Sequence, residues 1–124
     1  MAGRIGPIAL ARMEALVARA LAIIRTRACD PTFSRSVLAR ELGVSASCLV
    51  HAVRRLTGLT ITQHICQARV AAAETLLLDL TRSIKEVAFA VGFGTASTLD
   101  RWFVRDHETT PREWRAREFE RRLA

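Results

Sequence analysis

The strongest constraint on the fold is a pattern of small and apolar residues that occurs twice. In each copy a short stretch with helical spacing ends at a glycine, and a second one starts a few residues later. Two short helices joined by a tight glycine-containing turn form a helix-turn-helix, a corner that many helical bundles contain once. Two such corners in tandem favour a protein built from two helix-turn-helix units. The repeated positions are Ala39, Gly43, Leu49 and Val53 in the first copy, and Ala88, Gly92, Leu99 and Phe103 in the second.

Helical spacing continues along the rest of the chain, and no segment alternates apolar and polar residues long enough to predict a strand. Only three Pro and six Gly interrupt the pattern. The sequence therefore predicts an all-α fold of about seven helices, forming one domain over 1–124. Its parts are a first helix-turn-helix subdomain at 8–60, a long linker helix at 61–80 and a second subdomain at 81–118.

Helix starts are marked by Ser and Thr residues, whose side chains accept hydrogen bonds from free backbone N–H groups. Ser34 and Ser45 are the predicted N-caps of the first unit. In the second unit two Ser/Thr-x-x-Glu patterns predict capping boxes, in which the glutamate also reaches back to the N–H of the cap residue. These patterns are Ser83 with Glu86 and Thr110 with Glu113.

The length of the linker helix suggests what the two units could bind. A helix over 61–80 would be about 30 Å long at 1.5 Å per residue. Successive major-groove faces on one side of B-DNA are roughly 34 Å apart. A single chain could thus place one helix in each of two adjacent grooves.

Charge supports a polyanionic partner without deciding it. The chain has 19 basic and 12 acidic residues, a net charge of +7, and every basic residue except Lys85 is Arg. Arginine's planar fork suits phosphates and guanine edges. An Arg-rich composition would give the same charge without any nucleic-acid function.

The cysteines predict neither a disulfide framework nor a zinc site, because Cys29, Cys48 and Cys66 are odd in number, widely spaced and free of any CxxC pair. Two Cys/His pairs at short spacing, 48 with 51 and 64 with 66, do not supply four metal ligands. No nucleophile elbow, phosphate-binding glycine loop or pair of catalytic carboxylates is visible. We therefore expect no enzyme activity, no cofactor and no metal.

The first stretch of the chain argues against export or membrane insertion. Arg4, Arg12 and Glu14 interrupt its apolar residues, so it matches neither a signal peptide nor a membrane span. We expect a cytoplasmic protein with reduced thiols.

Beyond the general pattern, specific residues resemble the AraC/XylS family of bacterial transcriptional regulators. The resemblance covers nearly the whole chain. It is carried by Leu-Ala-Arg-Glu-Leu-Gly-Val-Ser at 38–45, by Thr57-Gly58, by Arg69 with Ala73, Leu76 and Leu77, and above all by 84–115, where Ile84, Val87-Ala88, Val91-Gly92-Phe93, Ser97, Arg101-Trp102-Phe103, Pro111 and Trp114-Arg115 keep the family spacing.

This resemblance implies a DNA-binding domain of two helix-turn-helix subdomains joined by a long helix. It also implies contact with RNA polymerase and binding as a monomer to an asymmetric site. The chain has the length of the short stand-alone members of the family. Three positions depart from the family pattern, namely Val53, Leu99 and Glu108, and Val53 in place of Phe leaves more space behind the first reading helix.

The second helix of a helix-turn-helix enters the major groove, and residues near its start read base edges. In the second unit this helix is predicted over 96–106, with Leu99 and Phe103 turned inward. Arg101 is the predicted guanine contact, and Asp100 either accepts from a cytosine amino group or orients Arg101. A solvated charged face is the alternative interpretation. The full predicted set is Ser97, Thr98, Asp100 and Arg101 for bases and Arg105 for the backbone.

The first unit offers a weaker reading set. Val50 suits a thymine methyl and His51 can donate to a base acceptor. The chain has no Asn, and its two Gln residues lie in the linker helix, so neither reading helix has the usual bidentate adenine contact. We predict that the second unit carries most of the specificity and that the first relies on backbone contacts and DNA shape. The first-unit set is Ser47, Val50 and His51 for bases and Arg35, Arg54 and Arg55 for the backbone.

Two other functions remain possible from the sequence. The small residues of the first reading helix also suit a helical adaptor that binds RNA polymerase or another regulator without reading DNA. Such an adaptor would lack the steep salt dependence of a DNA-binding protein. A redox switch at Cys48 would need an exposed thiol, and we expect that thiol to be buried.

Overall fold

The computed structural model describes residues 5–124, so Arg4 lies outside the described part. These residues form seven α-helices and no strand, which confirms the predicted all-α fold. The helices are α1 (Pro7–Arg27), α2 (Arg35–Leu42), α3 (Ala46–Thr57), α4 (Ile61–Leu77), α5 (Ile84–Ala90), α6 (Ala96–His107) and α7 (Pro111–Leu123).

Every helix from α2 to α7 begins after a Ser or Thr that accepts a hydrogen bond from the backbone N–H three residues later. The predicted caps at Ser34, Ser45, Ser83 and Thr110 are confirmed. Those at Thr60 and Thr95 were not predicted.

The two predicted capping boxes are only half formed. The Glu86 carboxylate accepts from the Ser83 hydroxyl, and the Glu113 carboxylate accepts from Thr109, so neither reaches the backbone N–H of its cap residue. The complete capping box lies at the start of α4 instead. There the Gln63 side chain accepts from Thr60 N at 2.8 Å, and Gln63 N donates to Thr60 Oγ1 at 3.0 Å.

The linker helix is shorter than predicted, because α4 ends at Leu77 rather than near Leu80. The cause is the segment after it, where Asp79 Oδ1 accepts hydrogen bonds from both the N–H and the hydroxyl of Thr81. This turn competes with continued helix. At 17 residues, α4 is roughly 26 Å long, so its length alone does not match the groove separation.

Residues 5–124 form two hydrophobic cores, and α4 contributes to both. Its first part provides Ile61 and Ile65 to the first core, and the rest provides Val70, Ala73 and Leu77 to the second. The first core is formed with α1, α2 and α3, and the second with α5, α6 and α7. Each helix-turn-helix is therefore packed on its own end of one shared helix.

No single helix within 5–124 is long and apolar enough to cross a bilayer. Only α2 and α3 taken together reach such a length and composition, and the chain bends by 100° between them.

Candidate nucleic-acid interface

The first helix-turn-helix has the geometry its sequence predicts. The 100° bend between α2 and α3 lies within the 90–120° range that is typical of this motif. Gly43 ends α2 with φ of 70°, a left-handed conformation that glycine adopts without a steric penalty. The corresponding glycine of the second unit, Gly92, has φ of 100°.

A second repeated turn, which the sequence analysis missed, precedes each helix-turn-helix. Thr32 donates from its N–H and its hydroxyl to Asp30 Oδ1 at 2.9 and 2.7 Å. Thr81 does the same to Asp79 Oδ1 at 2.9 and 2.6 Å. These hydrogen bonds hold the pKa of both carboxyl groups below the usual aspartate value.

The signal for this turn is an Asp-x-Thr-x-Ser pattern, which occurs at 30–34 and again at 79–83. Its last residue is the N-cap of α2 in the first copy and of α5 in the second. The turn therefore sets where each helix-turn-helix begins, and it extends the internal repeat towards the N-terminus of each unit.

In the first unit the structure brings most of the predicted contact residues together. They line one open surface depression of about 520 Å³, between the start of α2 and the outer face of α3. Arg55 does not line it. The depression combines two cationic side chains with a hydroxyl, an imidazole and a methyl-bearing side chain; its lining is Arg35, Ala46, Ser47, Val50, His51 and Arg54.

In the second unit a similar depression of about 490 Å³ lies beside α6. Asp100 and Ala96 of α6 line it together with Lys85 of α5 and Arg112 of α7. Neither cation was predicted as a contact, although Arg35 of α2, which also lies outside the reading helix, was predicted for the first unit. Only the packing of α5 and α7 around α6 places them at its edge.

The other predicted residues of α6 have different surroundings. Ser97 and Arg101 are exposed, and within residues 5–124 no hydrogen bond or ion pair joins Arg101 to Asp100. The Thr98 hydroxyl lies 2.9 Å from the hydroxyl of the N-cap Thr95, so it takes part in the helix start. Arg105 lies with its guanidinium 5.1 Å from the centre of the Trp102 ring.

The side chains packed behind the reading helices differ between the two units. In the second unit Phe103 stacks on His107 at 4.3 Å and meets Trp114 edge-on at 5.7 Å. His107 Nε2 lies 2.6 Å from a carboxylate oxygen of Glu74 on the linker helix. A tight aromatic cluster thus joins α6 to α7, and a short polar contact between His107 and Glu74 joins α6 to α4.

In the first unit the position of Phe103 is taken by Val53, which is fully buried. A polar contact replaces the aromatic cluster, since Thr57 Oγ1 lies 2.8 Å from His64 Nε2. Burial lowers the pKa of His64, which favours the neutral imidazole in this contact. Leu56, at the end of the apolar face of α3, is 36% exposed and contributes little to the core.

The expectation that Cys48 is buried is wrong, because its thiol is exposed. The inward face of α3 is formed by Leu49, Ala52 and Val53. Next to Cys48, α1 leaves an open depression of about 270 Å³ rather than covering it. Burial does raise the pKa of the other two thiols, at Cys29 and Cys66.

Comparison with known proteins identifies this architecture. Residues 38–117 match a family model described as a helix-turn-helix domain, of the AraC type. The HTH-type transcriptional activator RhaR of Cronobacter sakazakii is 37% identical over 62 residues, which are 50% of this chain and 22% of RhaR. The chain thus spans only a small part of that relative's length.

Two further relatives match over most of their length. The regulatory protein SoxS of Salmonella typhimurium is 30% identical over 88 residues, which cover 71% of this chain and 82% of SoxS. The DNA-binding domain of AdpA, a global transcriptional factor solved in complex with a target DNA, superposes with a TM-score of 0.71 at 29% identity. That superposition covers 90% of this chain and 96% of the AdpA domain.

Proposed function

The chain belongs to the AraC/XylS family of DNA-binding transcription regulators, and we propose that it reads DNA by placing α3 and α6 in successive major grooves. One observation carries this proposal. In both units the outward face of the reading helix lines an open depression whose rim carries cationic side chains from neighbouring helices. Such a rim suits the phosphates that border a major groove, and the reading helix then faces the base edges.

The second unit is the main reader in this proposal. Arg101 is exposed near the start of α6, where it can form a bidentate contact with a guanine. Lys85 and Arg112 are the phosphate contacts in the depression beside α6, and Asp100, which lines the same depression, favours a cytosine amino group over a second acceptor.

The first unit contributes mainly to affinity. His51 and Val50 offer one donor and one apolar contact, while Arg35 and Arg54 are placed for phosphates on the same rim. We further propose that the protein acts as a monomeric, non-enzymatic regulator in the bacterial cytoplasm, associated with the nucleoid when bound. We also propose RNA polymerase as a partner, since RhaR is a transcriptional activator by name.

The test is selection of bound fragments from genomic DNA at moderate salt, comparing the wild type with Arg101→Ala. We expect a motif of about two helical turns, of which the half read by α6 loses its base preference in the variant. Binding of the best site should weaken by about 10–100-fold. The matched control is Arg19→Ala, which removes another exposed arginine from α1 and should leave the motif intact.

His51→Ala separates the roles of the two units. It should weaken binding less than Arg101→Ala and leave the α6 half of the motif unchanged. A wild-type protein that enriches no motif and binds DNA without salt dependence would contradict DNA reading, and would favour the adaptor that the sequence left open.

A further inference from the structure

One side chain of the linker helix contacts both helix-turn-helix units. Arg69 donates from Nε to the carbonyl oxygen of Ala28 at 2.6 Å and from Nη2 to that of Asp30 at 3.4 Å. Its guanidinium also lies 5.4 Å from the centre of the Phe93 ring. Ala28 belongs to the first core and Phe93 to the second. Arg69 therefore lies at a direct junction between the end of α1 and the turn of the second helix-turn-helix.

Gly92 is the second component of this junction. A Cβ at Gly92 would lie 2.8 Å from the Cys29 carbonyl oxygen and 2.9 Å from Arg69 Nε, closer than real Cβ atoms approach. The Cys29 side chain also packs against the second core. The backbone of the second turn thus touches the backbone of the first unit, and only glycine permits that approach.

The repeat provides an internal comparison for each component. Gly43 occupies the same position in the first turn, yet a Cβ there would meet nothing within 4 Å. Arg115 of α7 repeats the hydrogen bonds of Arg69, with Nε to Leu77 O at 2.8 Å and Nη2 to Asp79 O at 3.4 Å. Its hydrogen bonds reach only the end of α4 and the turn after it, so Arg115 does not join the two units as Arg69 does.

This junction matters because α4 alone is a single connection. Two bodies joined by one helix can bend and twist relative to each other, whereas a second connection beside the helix restrains both motions. We propose that Arg69 and Gly92 are positioning residues that fix the two reading helices relative to each other, and so set the half-site spacing that the protein accepts on DNA. The spacing part rests on the proposed function.

The DNA consequence follows from the geometry of the duplex. Adding one base pair between the half-sites moves one of them about 3.4 Å along the axis and about a tenth of a turn around it. A protein whose two reading helices are rigidly fixed must distort itself or the DNA to contact the shifted half-site, and so it loses affinity. A protein with a loosened junction can adjust to the new spacing at a lower cost in free energy. However, the arrangement of the two units that fits the native site is then less populated, so the protein binds that site more weakly.

The first experiment measures binding to the selected motif with spacers shortened or lengthened by one and two base pairs. The wild type should lose about tenfold or more in affinity per base pair. Arg69→Gln should bind the native spacing several-fold more weakly, keep the base preference of each half-site, and show a nearly flat spacing profile. Arg115→Gln removes the same kind of hydrogen bonds and should keep the steep wild-type profile.

The glycine pair is tested in the same way. Gly92→Ala should flatten the spacing profile, whereas Gly43→Ala should leave it steep, although both place alanine at a positive φ. Equal profiles for Arg69→Gln and Arg115→Gln, or for the two glycine variants, would overturn the proposal and leave these residues with a purely structural role. If Arg69→Gln does not unfold cooperatively, Arg69→Lys, which keeps the charge, takes its place.

A second experiment needs no DNA. Spin labels on Cys48, exposed on α3, and on a cysteine introduced by Ser97→Cys on α6 report the separation of the reading helices. The otherwise wild-type protein and the Arg115→Gln variant should give one narrow distance distribution, and Arg69→Gln a broad one. A narrow distribution in all three would overturn the junction even if DNA binding is intact. A narrow wild-type distribution without any DNA motif would instead contradict the proposed function.

Discussion

The two helix-turn-helix units share the turns and caps that shape their backbone and differ in several side chains packed behind their reading helices. Both begin with the same Asp-Thr turn, and in both the reading helix starts at a Ser or Thr cap. Yet the first unit places a valine and a Thr–His contact behind its reading helix, and the second places a phenylalanine, a histidine and a tryptophan there. The turns and helix caps thus repeat between the two units, while the side chains packed behind the reading helices differ.

The same contrast holds for the outward faces. Beside α6 of the second unit, the depression combines Asp100 with cations from two other helices, whereas the first unit presents an imidazole and a valine beside Arg35 and Arg54. The unit for which the stronger base-reading set is predicted also has an aromatic cluster packed behind its reading helix. A base-reading side chain needs a rigid support, because small displacements break bidentate contacts.

The largest expected difference between the two units is in how much each core contributes to the free energy of unfolding. Phe103→Ala should lower the free energy of unfolding by about 3–5 kcal/mol, because it leaves a cavity against His107 and Trp114. Val53→Ala, at the equivalent position, removes only two methylene equivalents and should lower the free energy of unfolding by about 2 kcal/mol. Urea denaturation measures both.

The control for these two variants is Val104→Ala, at a position that is 42% exposed on α6, which should change stability by at most about 0.5 kcal/mol. Equal losses for Phe103→Ala and Val53→Ala would mean that the aromatic cluster adds nothing to the second core.

A smaller effect is expected where the reading helices end. Gly58 ends α3 with φ of 76°, and Glu108 ends α6 with φ of 61°, so the second unit holds a non-glycine residue in the left-handed region. The left-handed conformation costs Glu108 roughly 1–2 kcal/mol in steric strain. This is more than the conformational entropy that a glycine there would lose on folding. Glu108→Gly should therefore stabilise the protein by about 0.5–1 kcal/mol, and Gly58→Ala should destabilise it by a similar amount.

Thermal unfolding measures these two shifts, and the double variant should return the melting temperature close to that of the wild type. Shifts of the same sign would show that the two helix ends are not equivalent.

The smallest effect concerns the repeated turn, where the two units should behave alike. The pKa of Asp30 and of Asp79 is lowered by hydrogen bonds from Thr32 and Thr81, so each carboxylate stabilises the fold above the unfolded value of about 4. This stabilisation is lost as the pH falls through the lower, folded pKa. Asp30→Asn and Asp79→Asn keep an acceptor oxygen but cannot titrate.

Each of these variants should therefore show a weaker loss of stability below about pH 4 than the wild type, and by a similar amount. Unfolding followed by circular dichroism from pH 3 to pH 7 checks this. An unchanged acid profile in both would contradict the stabilising role of the Asp-Thr turn.

Much of the fold could be predicted from the sequence because helix starts and apolar spacing are local signals. The caps at Ser34, Ser45, Ser83 and Thr110 were identified in this way and are confirmed. The end of α4 was misplaced, because the Asp79–Thr81 turn uses side-chain hydrogen bonds that periodicity does not show. The burial of Cys48 was also wrong, since α1 leaves that side of α3 open.

The residues of the candidate site also include some that the sequence predicts and some that only the packing of the helices reveals. Which positions of α3 and α6 face outward follows from a 3.6-residue period, so Ser47, His51, Ser97 and Arg101 could be named from the sequence. Lys85 and Arg112 could not, because they come from helices that only tertiary packing brings to the edge of α6.

By itself, the sequence determined the helical class, the tandem repeat, the caps and the outward faces of the reading helices, since each depends on residues within one or two turns of each other. The tertiary structure alone decided how the two units are held together. Arg69 reaches carbonyl groups 39 and 41 residues away, and Gly92 lies against Cys29 of the other unit. Contacts at such separations depend on how whole helices pack, which no local pattern records.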